Sequence, residues 1–346
     1  MVPYPGTPWD ALWQARDAQR RALRRDSNLV GCITLVLTVL MQFVFSFLLI
    51  TLNAIGVVNL QVSEIYYGLS LAGFLLVYGL AYCLGMGLPA PVVSAIGRRR
   101  IHPFSRLENH PAEDRPLSFP TIFFGLMAGL AVCILANVVT SYIVYFLSMF
   151  GIQPPEMPEY IDKTGLALLL NVVIFAVFPA ILEEMVFRGY VLRLLRPYGD
   201  GLALIISSLL FALMHGNILQ IPFAMIVGLA CGYLVIKTGR VWMSMALHFL
   251  NNLMATLLTY TGLYAGSDAV NTKMNLFVFA IIGLTGLFAV VILFALNDPL
   301  TRRTAPRRQN HPALLTTGQR AGAVFSSPAM IISIVLSVVS TILTTQ

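Results

Sequence analysis

Glu183-Glu184-Met185-Val186-Phe187-Arg188-Gly189 is the stretch on which the reading of this chain turns. It closes a long apolar run that begins near Thr164 and sets two adjacent carboxylates against that run. A charged side chain inside a bilayer costs at least ~3 kcal/mol even on lenient insertion scales. All the other Asp and Glu residues fall in segments that read as lying outside the hydrocarbon. The pair therefore points to a functional site. Glu184 and Arg188 stand four apart with the acid first, the favourable order for an ion pair on one helix face. A plainer reading, in which the pair only closes a helix at the water interface, stays open on this stretch alone.

The surrounding chain sets the class. Of 346 residues, 58% are apolar and 11% charged, more apolar surface than a soluble fold of this length can cover. The expectation is an all-α, polytopic transmembrane bundle of about eight or nine spans. These fall near 29–52, 65–88, 119–150, a fourth from 164 through the Glu pair, 201–219, a sixth from 222 to about 236, 241–261, 274–296 and 323–343. The chain then divides into an Arg-rich arm (1–28), spans one to three with a basic loop (29–163), a core (164–262) and C-terminal spans with a further basic loop (263–346). Pro89 and Pro91 are expected to stop the second span, and Pro179 to kink the fourth just ahead of the Glu pair.

The net charge of +7 reads as topology rather than as nucleic-acid binding. With the N-terminus cytoplasmic and each span alternating, all Lys and Arg residues but Lys163 and Lys273 fall on the inner side, as the positive-inside rule requires. The Glu pair then lies toward the cytoplasmic end of its helix. The expected location is the cell membrane, multi-pass, of a bacterial plasma-membrane type. The four cysteines are scattered without ligand spacing and read as packing residues. The Arg-rich first 27 residues do not read as a cleavable leader.

Of five histidines, His102, His110 and His311 sit in polar loops. His215 and His248 fall in apolar spans, and ionisable groups at depth are driven inward toward one another because lipid offers them no partner. His248 and Asn252 share one helix face. A general base needs a carboxylate or imidazole poised near neutrality, and removal from water moves a carboxyl that way. Glu183 and Glu184 point roughly 100° apart on a helix. Glu184 has Arg188 as counter-ion and reads as a scaffold. Glu183 has no local partner and is the candidate for activating a water, which His215 can share. His248 and Asn252 can donate to the oxyanion formed on a peptide carbonyl. From the expected span ends, His248 lies roughly 10 Å deep and His215 roughly 20 Å, a mismatch that leaves open a deep cavity or a later start to the fifth helix. Gly228 and Gly232 form a GxxxG suited to close helix packing.

Taken in order, these residues resemble the CAAX-prenyl-endopeptidase and bacteriocin-processing (CPBP, or Abi) family of intramembrane proteases. The EExxxR motif stands as Glu183-Glu184-x-x-x-Arg188, FxxxH as Phe211-x-x-x-His215, and the third motif as His248-x-x-x-Asn252. The resemblance covers about 164–262. It implies peptide-bond hydrolysis at a cytoplasm-facing cavity, with Glu183 and His215 activating water, His248 and Asn252 holding the oxyanion, and Glu184 and Arg188 supporting. Members are labelled metalloproteases by custom, with a metal-free glutamate mechanism as the competing view. The chain lacks HExxH, so no cofactor is favoured, although Glu183, His215 and His248 are suitable ligand types for Zn²⁺. The expected partners are the lipid bilayer and a peptide or lipopeptide substrate, either lipidated (CAAX-like) or a secreted or bacteriocin-type precursor, with no nucleic acid and no oligomeric state indicated. A non-catalytic scaffold or immunity protein is one alternative. A proton-coupled transporter is another, though no repeat relating two halves is visible.

Overall fold

The computed structural model describes residues 8–60, 69–107, 116–152, 164–302 and 314–344, and within them all regular structure is helical. Glu64, His110, Lys163, His311, the acidic loop at 153–163 and the 303–313 portion of the basic tail lie outside the described residues.

Helix α1 (Pro8–Ala54) joins the Arg-rich arm and the first span in one unbroken 47-residue rod. Its polar half is built of Ala, Arg, Gln and Leu, all good helix formers, so nothing separates arm from span. At 1.5 Å per residue the rod is about 70 Å long, roughly twice the hydrocarbon thickness. Helix α2 (Leu71–Gly87) starts under a Ser70 cap, whose side chain accepts from the Gly73 amide. Pro89 does not end the apolar path. It opens α3 (Pro89–Ile96) at a first-turn position where its missing N–H is not needed. Helix α4 (Phe119–Ser148) ends within two residues of the expected third span.

Helix α5 (Gly165–Tyr198) departs furthest from expectation. The Glu pair does not close it, because the helix runs on to Tyr198 and places the pair near its middle. Arg188 is fully buried there, so it is no marker of a cytoplasmic loop. The expected fifth span becomes α6 (Asp200–Met214), 15 residues and roughly 22 Å long, short of a full crossing. It pairs with α7 (Ile221–Thr238) as a hairpin, which returns the chain to the side it left, so the charge balance of the flanking segments is unaffected. Then follow α8 (Val241–Gly262) and α9 (Asp268–Ala295). The expected ninth span is a pair, α10 (Thr317–Phe325) and α11 (Pro328–Thr344), bent by 74° where Pro328 interrupts the helical ladder.

Among the described residues, seven helices are long and apolar enough to cross a membrane, or eight if the bent pair counts as one span. Their outer faces are apolar. On α9, Phe277, Leu284 and Leu287 are each about two-thirds exposed, an arrangement only lipid makes favourable. The chain is a multi-pass membrane protein.

Close approach of backbones holds the bundle where water-driven burial cannot. Gly228 and Gly232 seat α7 on α6, as the GxxxG spacing implied: a Cβ on Gly228 would lie 3.1 Å from Ser208 Cβ, and one on Gly232 2.5 Å from Leu204 Cδ1. A still closer crossing is α1 on α11. A Cβ on Gly31 would fall 2.2 Å from the Met330 backbone nitrogen. Gly31→Ala is expected to force the two helices apart at a cost of about 1–3 kcal/mol, read as a lower melting temperature of the detergent-solubilised protein. An unchanged melt would mean that the crossing is looser than described.

Candidate active site

The site is built on two places where α5 widens from α-helical pitch. Val173–Val177 and Met185–Val191 are π-helical, bracketing the α-helical turns Phe178–Glu184 that carry the acid pair. The first has a sequence cause. Pro179 has no N–H to offer the Phe175 carbonyl four residues earlier, and the helix widens ahead of it. Asn252 Nδ2 donates to that Phe175 carbonyl at 3.0 Å. The expected oxyanion donor is thus anchored on the proline's unmet acceptor, with one amide hydrogen engaged there and one left over. The neighbouring Asn251 Nδ2 donates to Asn252 Oδ1 at 3.0 Å and fixes the orientation of the amide.

Glu184 and Arg188 form a sealed pair. Both are fully buried, and Arg188 Nη1 donates to Glu184 Oε1 at 2.9 Å. Arg188 Nη2 donates to the Gly228 carbonyl of α7 at 2.9 Å, and its guanidinium lies 4.6 Å over the Phe211 ring. Gly228 therefore has two duties, close packing and an accessible carbonyl. Glu184 Oε1 also takes His248 Nδ1 at 3.0 Å, so the scaffold acid orients the histidine of α8. Sequence reasoning placed Arg188 beside Glu184 but gave no hint of the His248 contact.

Glu183 is turned the other way, 6% exposed, toward a cavity of about 550 Å³. It does have a partner: the Tyr82 hydroxyl of α2 donates to its Oε1. Glu183 Oε2 stands 3.9 Å from His248 Nε2, beyond direct hydrogen-bond reach. His215, at the C-terminal end of α6, uses Nδ1 on the Phe211 carbonyl at 2.9 Å. A carbonyl only accepts, so Nδ1 carries the hydrogen and the neutral ring presents its Nε2 lone pair. Phe211 ties the motifs together: its ring meets His215, His248 and Phe187 edge-on, with centroids 5.1, 5.9 and 5.3 Å away.

Glu183, His215, His248 and Asn252 all line this cavity, with Tyr82 beside them. The expected difference in depth between His215 and His248 is spanned by this cavity. Of the two alternatives, the later start falls away, since α6 begins at Asp200, and His215 and His248 line one deep cavity. Among the described residues, no group of three or more His, Cys, Asp or Glu side chains is gathered closely enough to hold a metal ion, so Glu183, His215 and His248 are not arranged as a Zn²⁺ ligand set.

Fold and site together define a multi-pass helical membrane protein with a buried acid pair and two histidines at an inner cavity. Residues 165–254 match the family model of the Rce1-like proteins, described as type II CAAX prenyl endopeptidase Rce1-like. That segment, about a quarter of the chain, is similar to the CAAX-type intramembrane proteases. No curated protein and no solved structure matches it.

Proposed function

We propose that this protein is an endopeptidase that hydrolyses a peptide bond inside the 550 Å³ cavity, opened to the cytoplasmic side, with Glu183 as the base. The observation that carries the reading is the convergence of Glu183, His215, His248 and Asn252, from three separate helical elements, on one cavity with the Glu184–Arg188 pair sealed behind them. The 3.9 Å gap between Glu183 Oε2 and His248 Nε2 suits one bridging water. Glu183 takes a proton as the water oxygen attacks the carbonyl carbon, with the His215 Nε2 lone pair as second acceptor. The oxyanion that forms accepts from the free amide hydrogen of Asn252 and, when His248 carries a hydrogen on both ring nitrogens, from its Nε2–H. When the C–N bond breaks, the proton held by Glu183 passes to the leaving amine, and the acid is ready for another turn. The substrate is a lipidated, CAAX-like peptide or a secreted, bacteriocin-type precursor, and the chemistry needs no cofactor.

The test is cleavage of a panel of lipidated and precursor peptides by the purified protein, alongside Glu183→Ala and His215→Ala, each with and without a strong chelator. Expected are loss of cleavage in both variants and full activity of the wild type under chelation. Chelator-sensitive cleavage restored by added Zn²⁺ would replace this scheme with a metal-dependent one. A wild type that cleaves nothing, while both variants still support the cellular phenotype, would point to a non-catalytic scaffold.

Tyr82 enters the proposal as a positioning residue. Its hydrogen bond to the Glu183 carboxylate is charge-assisted, and such bonds are worth ~1.5–3 kcal/mol. Tyr82→Phe is expected to lower kcat roughly tenfold or more, leaving KM near its original value, since the phenol aims the base without meeting the substrate. A rise in KM at constant kcat would make Tyr82 a substrate contact instead.

A further inference from the structure

A second cavity, of about 280 Å³, opens where α3, the loop after it and the end of α5 meet. Its wall carries Arg98, Arg99, Arg100, Arg193 and Arg196 against a single acid, Asp26. Three of these arginines are committed elsewhere. Arg99 bonds Asp26, whose other oxygen accepts from Tyr198 at 2.8 Å. Arg196 pairs with Asp200 at 3.0 Å. Arg193 holds the loop, donating to the carbonyls of Pro103 and Arg106, both at 3.2 Å. Arg98 and Arg100 are exposed, and among the described residues neither side chain has a hydrogen-bond or ion-pair partner. The one acid in the cavity wall is saturated by its own contacts, so two positive charges are left facing the opening.

The wall is a built feature rather than a loose loop. Leu107 N donates to the Gly239 carbonyl at 2.8 Å, and at Gly189 a Cβ would lie 2.5 Å from Pro103 Cβ, so the loop is seated directly on α5. Arg98 itself holds φ +55°, left-handed backbone that costs a β-carbon residue about 1 kcal/mol or more, while Gly97 beside it keeps φ −71°. The chain puts an arginine where a glycine would sit more easily. Immediately before it, α3 turns Val92 and Ile96 outward, 50% and 78% exposed. Guanidinium groups matched to phosphate thus lie next to apolar side chains that only acyl chains would cover.

We propose that this cavity binds the phosphate of an anionic membrane lipid, with Arg98 and Arg100 on the headgroup and Val92 and Ile96 against the acyl chains. Juxtamembrane arginines near anionic lipid each contribute about a factor of five in affinity. In nanodiscs of mixed phosphatidylglycerol and phosphatidylcholine, native mass spectrometry of the full chain is expected to show preferential retention of phosphatidylglycerol. R98Q/R100Q is expected to lower that preference by roughly tenfold or more. R20Q/R21Q removes as much charge from the exposed arm and is expected to leave it unchanged. Both cavity arginines are exposed, and a thermal melt of each variant confirms folding. Equal retention by wild type and R98Q/R100Q overturns the proposal. So does an equal fall in R20Q/R21Q, which would mean diffuse attraction to the surface. Displacement of the lipid by millimolar inorganic phosphate would reassign the cavity to a free anion.

Discussion

Replacing Glu183 with Gln is expected to lower kcat for peptide cleavage by at least about a thousandfold, with the protein as stable as the wild type or slightly more so. The size follows from the role. A positioned general base contributes 10²–10⁴-fold, and no second carboxylate reaches the same water, because Glu184 is fully buried against Arg188 and His248. The amide keeps the shape of the acid, and the Tyr82 hydroxyl can still donate to its oxygen. The sign of the stability change follows from burial. Glu183 is 6% exposed and lacks the direct cation that Glu184 has, so removing its charge relieves a desolvation cost that function alone explains. Steady-state cleavage and a thermal melt on the same preparation check both halves. Activity within tenfold of wild type would remove Glu183 as the base and leave His215 as the candidate; a large fall in melting temperature would recast Glu183 as structural.

What could be read from the sequence was whatever is written at helical spacing. Glu184 and Arg188 pair because four residues make about one turn, and His248 and Asn252 share a face for the same reason. Gly228 and Gly232 declared a close helix contact by their lack of side chains. What was hidden depends on hydrogen-bond register or on distant partners. The π-helical turns at 173–177 and 185–191 shift every following side chain around the axis, and no residue type marks them apart from Pro179. That shift belongs to why Glu183 faces the cavity and Glu184 the interior. Tyr82 meets Glu183 across 101 residues of sequence. The available signal was general: a tyrosine hydroxyl inside an apolar span needs an acceptor, and few were on offer. The shortness of α6 was visible in Gly216-Asn217, which cannot continue a buried helix easily, yet the apolar residues beyond it suggested a full crossing. In sequence Arg188 reads as a cytoplasmic charge, because a single arginine after an apolar run looks the same whether it meets water or a buried acid.

Arg188→Met is expected to have the largest effect on stability of any single change at the site, a loss of about 3–5 kcal/mol. Arg188 and Glu184 are both completely buried, and the guanidinium also serves the Gly228 carbonyl and the face of Phe211. Methionine of similar length fills the space but leaves an acid inside the bundle without its guanidinium partner. A melt of the detergent-solubilised variant should fall by roughly 10 °C for a chain of this size. E184Q/R188M is expected to recover a substantial part of that loss, because the penalty arises from the unpaired charge more than from the missing attraction. It should not recover cleavage. His248 takes its orientation from Glu184 Oε1, and the amide of E184Q offers only a weaker, neutral acceptor, so the ring is held less firmly with Nε2 toward Glu183. A buried ion pair that an uncharged pair can replace in stability but not in activity is kept to orient the histidine and to fasten α5 to α7. R188M melting within about 2 °C of the wild type would mean that Glu184 is answered by water or another cation, and the sealed pair behind the cavity would have to be given up.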